Sequence, residues 1–300
     1  IMPKFDMVQY LTLLEKYKAT LLFVAPPIMV GFVKHPQVAK TNTDSVRLVF
    51  SGAAPLTEEI QRMNEPIFKN AMLCQGYGLT ETSPVICASP MDKAVYGSCG
   101  VLAADTEIRI VKIDEGADSN TVLSGEDAPE GEEGELWVRG PQVMKGYLKQ
   151  EDTDKVFPEK DWFRTGDLVS IDQEGSVYIK ERLKELIKYK GYQVAPAELE
   201  GLIQQYPDVQ ECIVVGVPTE DGTDEVPRAQ VVLKADVAAD AEKKAAAPQL
   251  VAEFVASKVS HYKHLRGGVK IVETIPKTAS GKLLRRIVRA EELDALKQKK

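Results

Sequence analysis

The sequence has little cysteine, and what it has is widely spaced. Only four cysteines occur among its 300 residues, with no C-x-x-C pair, at Cys74, Cys87, Cys99 and Cys212. This spacing argues against both a structural zinc site and a disulfide framework. Disulfide-poor chains are typical of reducing compartments, and we therefore expect a cytoplasmic protein.

Long apolar runs are also missing. The run over residues 19–33 is interrupted by Pro26-Pro27 and is shorter than the roughly 20 residues that span a bilayer. No basic-then-apolar signal opens the chain, so we predict no stable membrane insertion. The chain starts at Ile1, which we interpret as a cut end, and this leaves targeting information further upstream open. The final residues are not a Ser-Lys-Leu peroxisomal address.

An excess of positive charge is absent as well. Lysine and arginine number 38 against 45 acidic residues, for a net charge of −7. Such a balance argues against nucleic acid as the main partner, while local basic sites for a phosphate-bearing ligand are compatible with it. The hydrophobic content of 44% suffices for one large or two ordinary globular domains.

The first part of the chain alternates strand, turn and helix patterns. Asp6 caps a predicted helix, an apolar strand over 19–25 is stopped by Pro26-Pro27, and a strand over 45–51 precedes a helix from Thr57 to Phe68. This alternation predicts an α/β layer. From about Val95 the pattern changes to short strands, at 107–111, 135–139 and 176–180, with an acidic loop over 114–133.

A further block begins near Arg182 and has the size of a small α+β domain. Pro196 is well placed as the first residue of a helix. The alanine-rich stretch 235–247 is predicted to be a linker or an exposed helix start. The remaining elements are predicted as strands over 210–217, 229–233 and 269–272, and as helices over 249–259 and 282–297.

The octapeptide Gln75–Thr82 (QGYGLTET) is the first motif with clear chemistry. Glycines on both sides of Tyr77 let the backbone approach a flat ring, on which the tyrosine can stack. Thr80 offers a hydroxyl to a phosphate, and Glu81 offers a hard oxygen ligand to Mg²⁺. Taken alone, a Gly-Tyr-Gly turn followed by threonine is ordinary.

The whole octapeptide resembles the core motif of the adenylate-forming enzymes, which include acyl–CoA synthetases, beetle luciferases and the adenylation domains of peptide synthetases. Further segments resemble that family's motifs in the family's order. Segments 51–56 and 188–200 most resemble 4-coumarate–CoA ligases and beetle luciferases. The other matching segments are Gly134–Gly140 with Gly146-Tyr147, Trp162–Asp167, Arg182–Glu200 and Pro276–Lys282.

The resemblance implies an α/β fold in two parts. Residues 1–181 would be the carboxyl-terminal part of a large AMP-binding domain, of mixed α/β and β-barrel-like structure. Residues 182–300 would be a small mobile α+β domain, with a hinge near Arg182–Lys184 and Lys184 at the hinge itself.

The resemblance also assigns binding residues for ATP or AMP, Mg²⁺ and the acid. Asp167 would accept the ribose hydroxyls, as acidic residues do in other nucleotide sites. Arg182 would offer its planar guanidinium to ribose or phosphate oxygens. Glu81 would bind Mg²⁺. The other expected nucleotide contacts are Gln75, Gly76, Tyr77 and Thr80, and the expected acyl-pocket residues are Gly76, Pro84 and Val85.

Two lysines are the expected catalytic residues. Lys282 would bridge the acyl carboxylate and the α-phosphate during adenylation, and Lys188 would face the adenylate during thioester formation. Lys190 and Gly191 would border coenzyme A, and Gln193 would reach the nucleotide phosphate. Without the resemblance, a solvated basic face explains Lys184, Lys188 and Lys190 equally well.

The predicted function is that of an ATP-dependent acid–thiol ligase acting on a small carboxylic acid and coenzyme A. The acid is expected to be an aryl-propenoate such as 4-coumarate, with fatty acids as the second expectation. The family's phosphate-binding loop is not found, so we expect a fragment with weak or no activity alone. The alternatives are a luciferase-like enzyme, a peptide-synthetase adenylating enzyme, although no carrier domain is evident, and a non-catalytic nucleotide-binding fragment.

Overall fold

The structure is a computed structural model that describes residues 2, 5–113, 125–219, 221–278 and 283–297. Tertiary contacts divide the chain into two units, Ile1–Ile179 and Lys180–Lys300. The first eleven residues of the predicted acidic loop, 114–124, lie outside the described residues, and so does predicted catalytic Lys282.

The helices and strands of the described residues are numbered in chain order. The helices are α1 (Met7–Tyr17), α2 (Pro26–Lys34), α3 (Glu58–Asn64), α4 (Gln150–Val156), α5 (Pro196–Gln204), α6 (Ala235–Ala239), α7 (Ala241–Ala256) and α8 (Arg285–Lys297). The strands are β1 (Leu21–Val24), β2 (Leu48–Ser51), β3 (Met72–Gly78), β4 (Val85–Ala88), β5 (Val101–Leu102), β6 (Glu107–Val111), β7 (Gly134–Arg139), β8 (Phe163–Ile171), β9 (Val177–Arg182), β10 (Ile187–Tyr189), β11 (Tyr192–Val194), β12 (Val209–Pro218), β13 (Glu225–Leu233) and β14 (Val269–Ile271).

The first unit contains a five-stranded sheet in the order β1-β2-β3-β4-β5. Strands β1, β2 and β3 are parallel, and β4 turns back antiparallel to β3. Helices α1, α2 and α3 cover one face, where Leu11, Phe32 and Ile60 pack with Val49 and Leu73 in one buried cluster. The predicted α/β layer is therefore present. Asp6 caps α1, as predicted, by accepting a hydrogen bond from the Gln9 N–H at 2.8 Å.

A second sheet follows in the order β6-β7-β8-β9. Its β7 is buried on both faces from Gly134 to Val138, and Leu136 and Val138 pack with Phe163 and Ile86 of β8 and β4. In the described residues this is an open four-stranded sheet, at the place where the sequence predicted a barrel-like part.

The second unit is a small α+β structure, as predicted. Strands β12, β13 and β14 form a three-stranded sheet, and β10 and β11 form a hairpin. The core contains Leu199 and Ile203 of α5, Val214 of β12, and Val251 and Val255 of α7. Pro196 is the first residue of α5, where its missing N–H leaves no helical hydrogen bond unmade.

One local prediction was wrong and two were incomplete. Pro26 does not only stop the preceding strand: it begins α2, because proline is favourable at the first position of a helix. The Gly-Tyr-Gly sequence is the end of β3 and not a turn. The alanine-rich stretch, predicted as a linker or an exposed helix start, contains all of α6 and the exposed start of α7, as alanine has the highest helix propensity. Among the described helices, none is long and apolar enough to cross a membrane.

Candidate functional site

The octapeptide lies where β3 ends and the chain returns through a short 3₁₀ helix, Thr80–Thr82, into β4. The Thr82 hydroxyl fixes this return, because it donates to the Pro84 carbonyl at 2.6 Å and accepts the Leu79 N–H at 3.0 Å. As a result, Thr80 is exposed and Glu81 is half-buried at the tip of the hairpin.

The two glycines of the octapeptide are needed for close approach. A Cβ on Gly78 would stand 1.8 Å from the Pro84 carbonyl oxygen, and a Cβ on Gly76 would stand 2.5 Å from the Phe50 ring. Neither glycine has a positive φ. What approaches these glycines is the neighbouring chain and the Phe50 ring of the protein itself, and their close approach to a nucleotide stays a prediction.

Tyr77 and Asp167 are brought together although they lie 90 positions apart in the sequence. The Tyr77 hydroxyl donates a hydrogen bond to Asp167 Oδ2 at 2.5 Å. Asp167 is only 2% exposed, while Tyr77 is half-buried. Two motifs that lie far apart in the sequence thus meet at one hydrogen bond in the first unit.

The Thr-Gly-Asp segment is an irregularity within β8. The register of β7 and β8 shifts between Glu135 and Trp137, and Gly166 has a φ of +72°. Thr165 closes this bulge: its hydroxyl donates to the Leu136 carbonyl at 2.8 Å and accepts the Asp167 N–H at 3.1 Å.

Glu81 has a partner that sequence reasoning missed. The Tyr147 hydroxyl donates to Glu81 Oε1 at 2.7 Å, and the Met144 N–H donates to the Glu81 carbonyl at 2.7 Å. The segment after β7 therefore holds the carboxylate at the tip of the hairpin. The signal was present in the sequence, as Gly146-Tyr147 was recognised as part of a motif without a role being assigned to the tyrosine.

The remaining predicted residues of the first unit differ in accessibility. Gln75 is 2% exposed, and its side-chain amide donates to the Leu56 carbonyl at 3.1 Å. It supports the strand from inside, and a contact with nucleotide stays a prediction. Pro84 and Val85 are exposed where β4 begins, on the same hairpin as Gly76, and their acyl-pocket role stays a prediction.

In the second unit, β10 and β11 form a tight hairpin. Lys188 stands directly opposite Gln193, so their side chains share one face of the ribbon. Lys190 and Gly191 form the two-residue turn, with φ values of +49° and +80°, the signs that a type I′ turn requires. The Asp224 carboxylate accepts the Lys190 N–H at 2.9 Å.

Two further predicted residues lie just before this hairpin. Arg182 is half-buried at the end of β9, and Lys184 is exposed in a 3₁₀ turn, Leu183–Glu185. The buried Glu181 carboxylate fixes this region because it accepts the N–H groups of Arg182 at 3.0 Å and Ala197 at 2.9 Å.

The candidate side chains of the first unit suit a nucleotide with Mg²⁺. A buried carboxylate beside a half-buried aromatic ring matches the chemistry of a ribose and a base. Mg²⁺ is usually held by one or two carboxylates together with substrate phosphates, which Glu81 alone can satisfy on the protein side. In the described part of the chain, no group of three or more His, Cys, Asp or Glu side chains could hold a metal ion by itself.

Comparison with known families gives two matches along the chain. The AMP-binding enzyme family matches residues 1–148, and the AMP-binding enzyme C-terminal domain matches residues 198–282.

Similar proteins of known sequence and structure agree with these matches. The probable 4-coumarate–CoA ligase 2 of Dictyostelium discoideum is 39% identical over 288 residues, which are 95% of this chain and 49% of that protein. The 4-coumarate–CoA ligase 1 of Glycine max is 38% identical over 298 residues, 97% of this chain and 96% of that sequence. The crystal structure of ATP-bound MatB from Rhodopseudomonas palustris is 28% identical with a TM-score of 0.81, over 98% of this chain and 55% of that one.

The chain spans about half the length of the Dictyostelium relative. Its fold matches a solved adenylate-forming enzyme over nearly its whole length, and its identity to the Glycine max ligase extends over nearly the whole of both sequences. The resemblance seen in the motifs is thereby confirmed, and the chain belongs to the family of AMP-binding, adenylate-forming enzymes.

Proposed function

We propose that the protein containing this chain is an AMP-forming acid–CoA ligase. The observation that carries the proposal is the hydrogen bond between Tyr77 and Asp167, which joins an aromatic ring and a buried carboxylate into one nucleotide site. The relatives' names support the class of reaction, since they are 4-coumarate–CoA ligases.

The reaction has two steps. The acid's carboxylate attacks the α-phosphate of ATP, forming an acyl-adenylate and releasing pyrophosphate. The thiol of coenzyme A then attacks the acyl carbon, losing its proton, and AMP leaves. Mg²⁺ neutralises phosphate charge in such reactions.

The candidate residues of the first unit bind the nucleotide, Mg²⁺ and the acid in this proposal. Tyr77 stacks on the adenine, Asp167 accepts the ribose hydroxyls, and Glu81, held by Tyr147, binds Mg²⁺. Thr80 donates its hydroxyl to a phosphate. Exposed Pro84 and Val85 border the acyl group.

The second unit supplies the lysines. Lys188 and Gln193 face the adenylate from one side of the β10–β11 hairpin, and Lys190 and Gly191 at its turn border coenzyme A. Lys282, which lies outside the described residues, stabilises the charge on the α-phosphate during adenylation. Residues 1–181 and 182–300 are proposed as the two domains, hinged near Lys184, so that each lysine serves one step.

An aryl-propenoate is proposed as the acid, and fatty acids are second. The cytoplasm is the proposed location, since all four cysteines are buried as thiols.

The experiment that tests the nucleotide site is calorimetric titration of the chain with AMP. Asp167→Asn removes the charge that the ribose hydroxyls meet, and hydrogen bonds to charged groups contribute about 1.5–3 kcal/mol. We therefore expect the affinity to fall by about 10- to 100-fold. Asp154→Asn, at an exposed position of α4, is the control and should bind as the parent does. Equal affinity of the parent and Asp167→Asn, or no AMP binding by the parent, contradicts the proposal.

A further inference from the structure

A buried carboxylate lies directly beneath the Thr-Gly-Asp bulge. Glu135 of β7 is 1% exposed and pairs with Arg164, which is 6% exposed. The Arg164 Nε lies 3.0 and 3.2 Å from the two carboxylate oxygens, and its Nη2 lies 3.0 Å from one of them. The Trp137 indole N–H donates to the same carboxylate at 3.1 Å.

A backbone donor connects this ion pair to the nucleotide site. The Gly166 N–H donates to Glu135 Oε1 at 3.1 Å. Gly166 has a positive φ and lies in the bulge of β8, where the regular pairing of β7 and β8 is interrupted. The carboxylate therefore accepts a backbone N–H that the bulge has removed from the strand ladder.

Stability alone gives a poor account of this arrangement. Burying two charges is expensive, and apolar residues of similar volume often replace a buried ion pair without loss of stability. What an apolar residue cannot do is accept the Gly166 N–H. The best-supported use of a buried polar group is to select one conformation among several.

We infer that Glu135 is a positioning residue for the nucleotide site: by accepting the Gly166 N–H it fixes the Thr165–Gly166 peptide, on the N-terminal side of Asp167, and so aims the Asp167 carboxylate at the ribose. This inference depends on the ribose-binding role proposed above for Asp167. Arg164 orients the Glu135 carboxylate through their ion pair, and Thr165 closes the other side of the bulge by accepting the Asp167 N–H.

The test compares AMP with 2′,3′-dideoxy-AMP, which lacks both ribose hydroxyls. The measured quantity is the dissociation constant of dideoxy-AMP divided by that of AMP. This ratio reports only on the hydroxyl contacts. Glu135→Gln retains the side-chain volume but has a single acceptor oxygen, so Trp137 Nε1 and Arg164 Nη2, which face Oε2, compete for it with the Gly166 N–H, which faces Oε1. We expect the ratio to fall by about tenfold, with the affinity for dideoxy-AMP unchanged within about twofold.

Asp167→Asn separates this inference from the proposed function. If Asp167→Asn leaves the ratio unchanged, the ribose-binding proposal itself is wrong. If Asp167→Asn lowers the ratio and folded Glu135→Gln does not, Asp167 binds the ribose without help from Glu135, and the inference is overturned.

A second pair of variants covers the case in which Glu135→Gln does not fold. A Cβ on Gly166 would meet no atom within 4 Å, so substitutions there change only the backbone preference. Gly166→Ala disfavours the positive φ and should lower the ratio, while Gly166→Asn tolerates it and should retain the ratio. Equal ratios for the alanine and asparagine variants would overturn the inference.

Discussion

Gly78, the last residue of β3, allows the structure of the hairpin to be tested with one methyl group. In Gly78→Ala the new Cβ would stand 1.8 Å from the Pro84 carbonyl oxygen, 2.6 Å from the Pro84 carbonyl carbon and 2.9 Å from Val85 Cα. These neighbours are backbone atoms, so no rotation of a side chain can relieve the contact. The two strands must separate.

The size of the effect follows from two losses. Forcing an extra carbon into a packed site costs about 1–3 kcal/mol. Separation of the strands also stretches the hydrogen bond from the Leu79 N–H to the Pro84 carbonyl, now 2.9 Å, and such a bond contributes about 1 kcal/mol. We expect the first unit to lose roughly 2–4 kcal/mol of unfolding free energy.

Urea unfolding followed by tryptophan fluorescence measures this loss of unfolding free energy in the first of the two structural units. The chain has two tryptophans, Trp137 and Trp162, and both belong to the first unit. With a urea m-value of about 1–3 kcal/mol/M, the midpoint should fall by roughly 0.7–4 M.

Gly52→Ala is the matched control for this measurement. Its Cβ would meet only the Gly76 carbonyl oxygen, at an ordinary contact distance of 3.7 Å, and its φ is not positive. Replacing glycine at such a position stabilises a protein by about 0.4–1 kcal/mol, because the unfolded chain loses freedom. If Gly78→Ala unfolds at the same urea concentration as Gly52→Ala, the close approach of β3 and β4 described above is wrong.

Two further predictions concern the second unit. In the complete enzyme, Lys282→Ala should slow acyl-adenylate formation by about 100-fold or more, as loss of a charge-stabilising group does. It should slow the transfer of supplied acyl-adenylate to coenzyme A far less. Equal losses in both half-reactions would contradict two separate lysine roles. Burial raises the pKa of Glu200 to about 7 from 4.5, against the lowering effect of Arg285, so its stabilising contribution is complete below pH 4.5 and is lost as the pH rises to 7. At about 1.4 kcal/mol for each pH unit this loss is roughly 3 kcal/mol. Glu200→Gln should therefore flatten the pH dependence of the opening free energy that hydrogen exchange measures in α5 between pH 4.5 and 7. An unchanged slope of that free energy against pH would refute the prediction.

The sequence predicted the strands of the three-stranded sheet and the start of α5 in the second unit, because their signals are local, but it did not predict the β10–β11 hairpin. Pro196 marks the start of α5, and apolar runs of the right length mark β12 and β13. The start of α2 was missed because a proline pair is compatible both with the end of a strand and with the first turn of a helix. Local sequence does not decide between these, and the packing of Met29 and Phe32 in the core of the first unit does.

The contacts of the candidate site depend on long-range pairing and were beyond local reasoning. Tyr77 and Asp167 were each identified, but their hydrogen bond depends on how β3 and β8 are placed by the two sheets. Glu135 shows the same limit, since a glutamate inside the apolar strand β7 signals a buried charge without revealing its partner. Its partners in β8 follow only from the register of β7 and β8.

Backbone conformation gives an argument for the motif segments that does not depend on family resemblance. Among the described residues, six that are not glycine have a positive φ: Lys18, Ala53, Ser83, Asp105, Asp161 and Lys190. Lys18 ends a helix, and aspartate tolerates this conformation through its short polar side chain. The other three lie within or beside segments that resemble family motifs. Each such residue costs about 1–3 kcal/mol and persists only where the surrounding structure enforces it. Ser83 adjoins Pro84, which is proposed to border the acid, and Lys190 is proposed to border coenzyme A. Two of these three strained residues therefore lie where the proposal places a substrate.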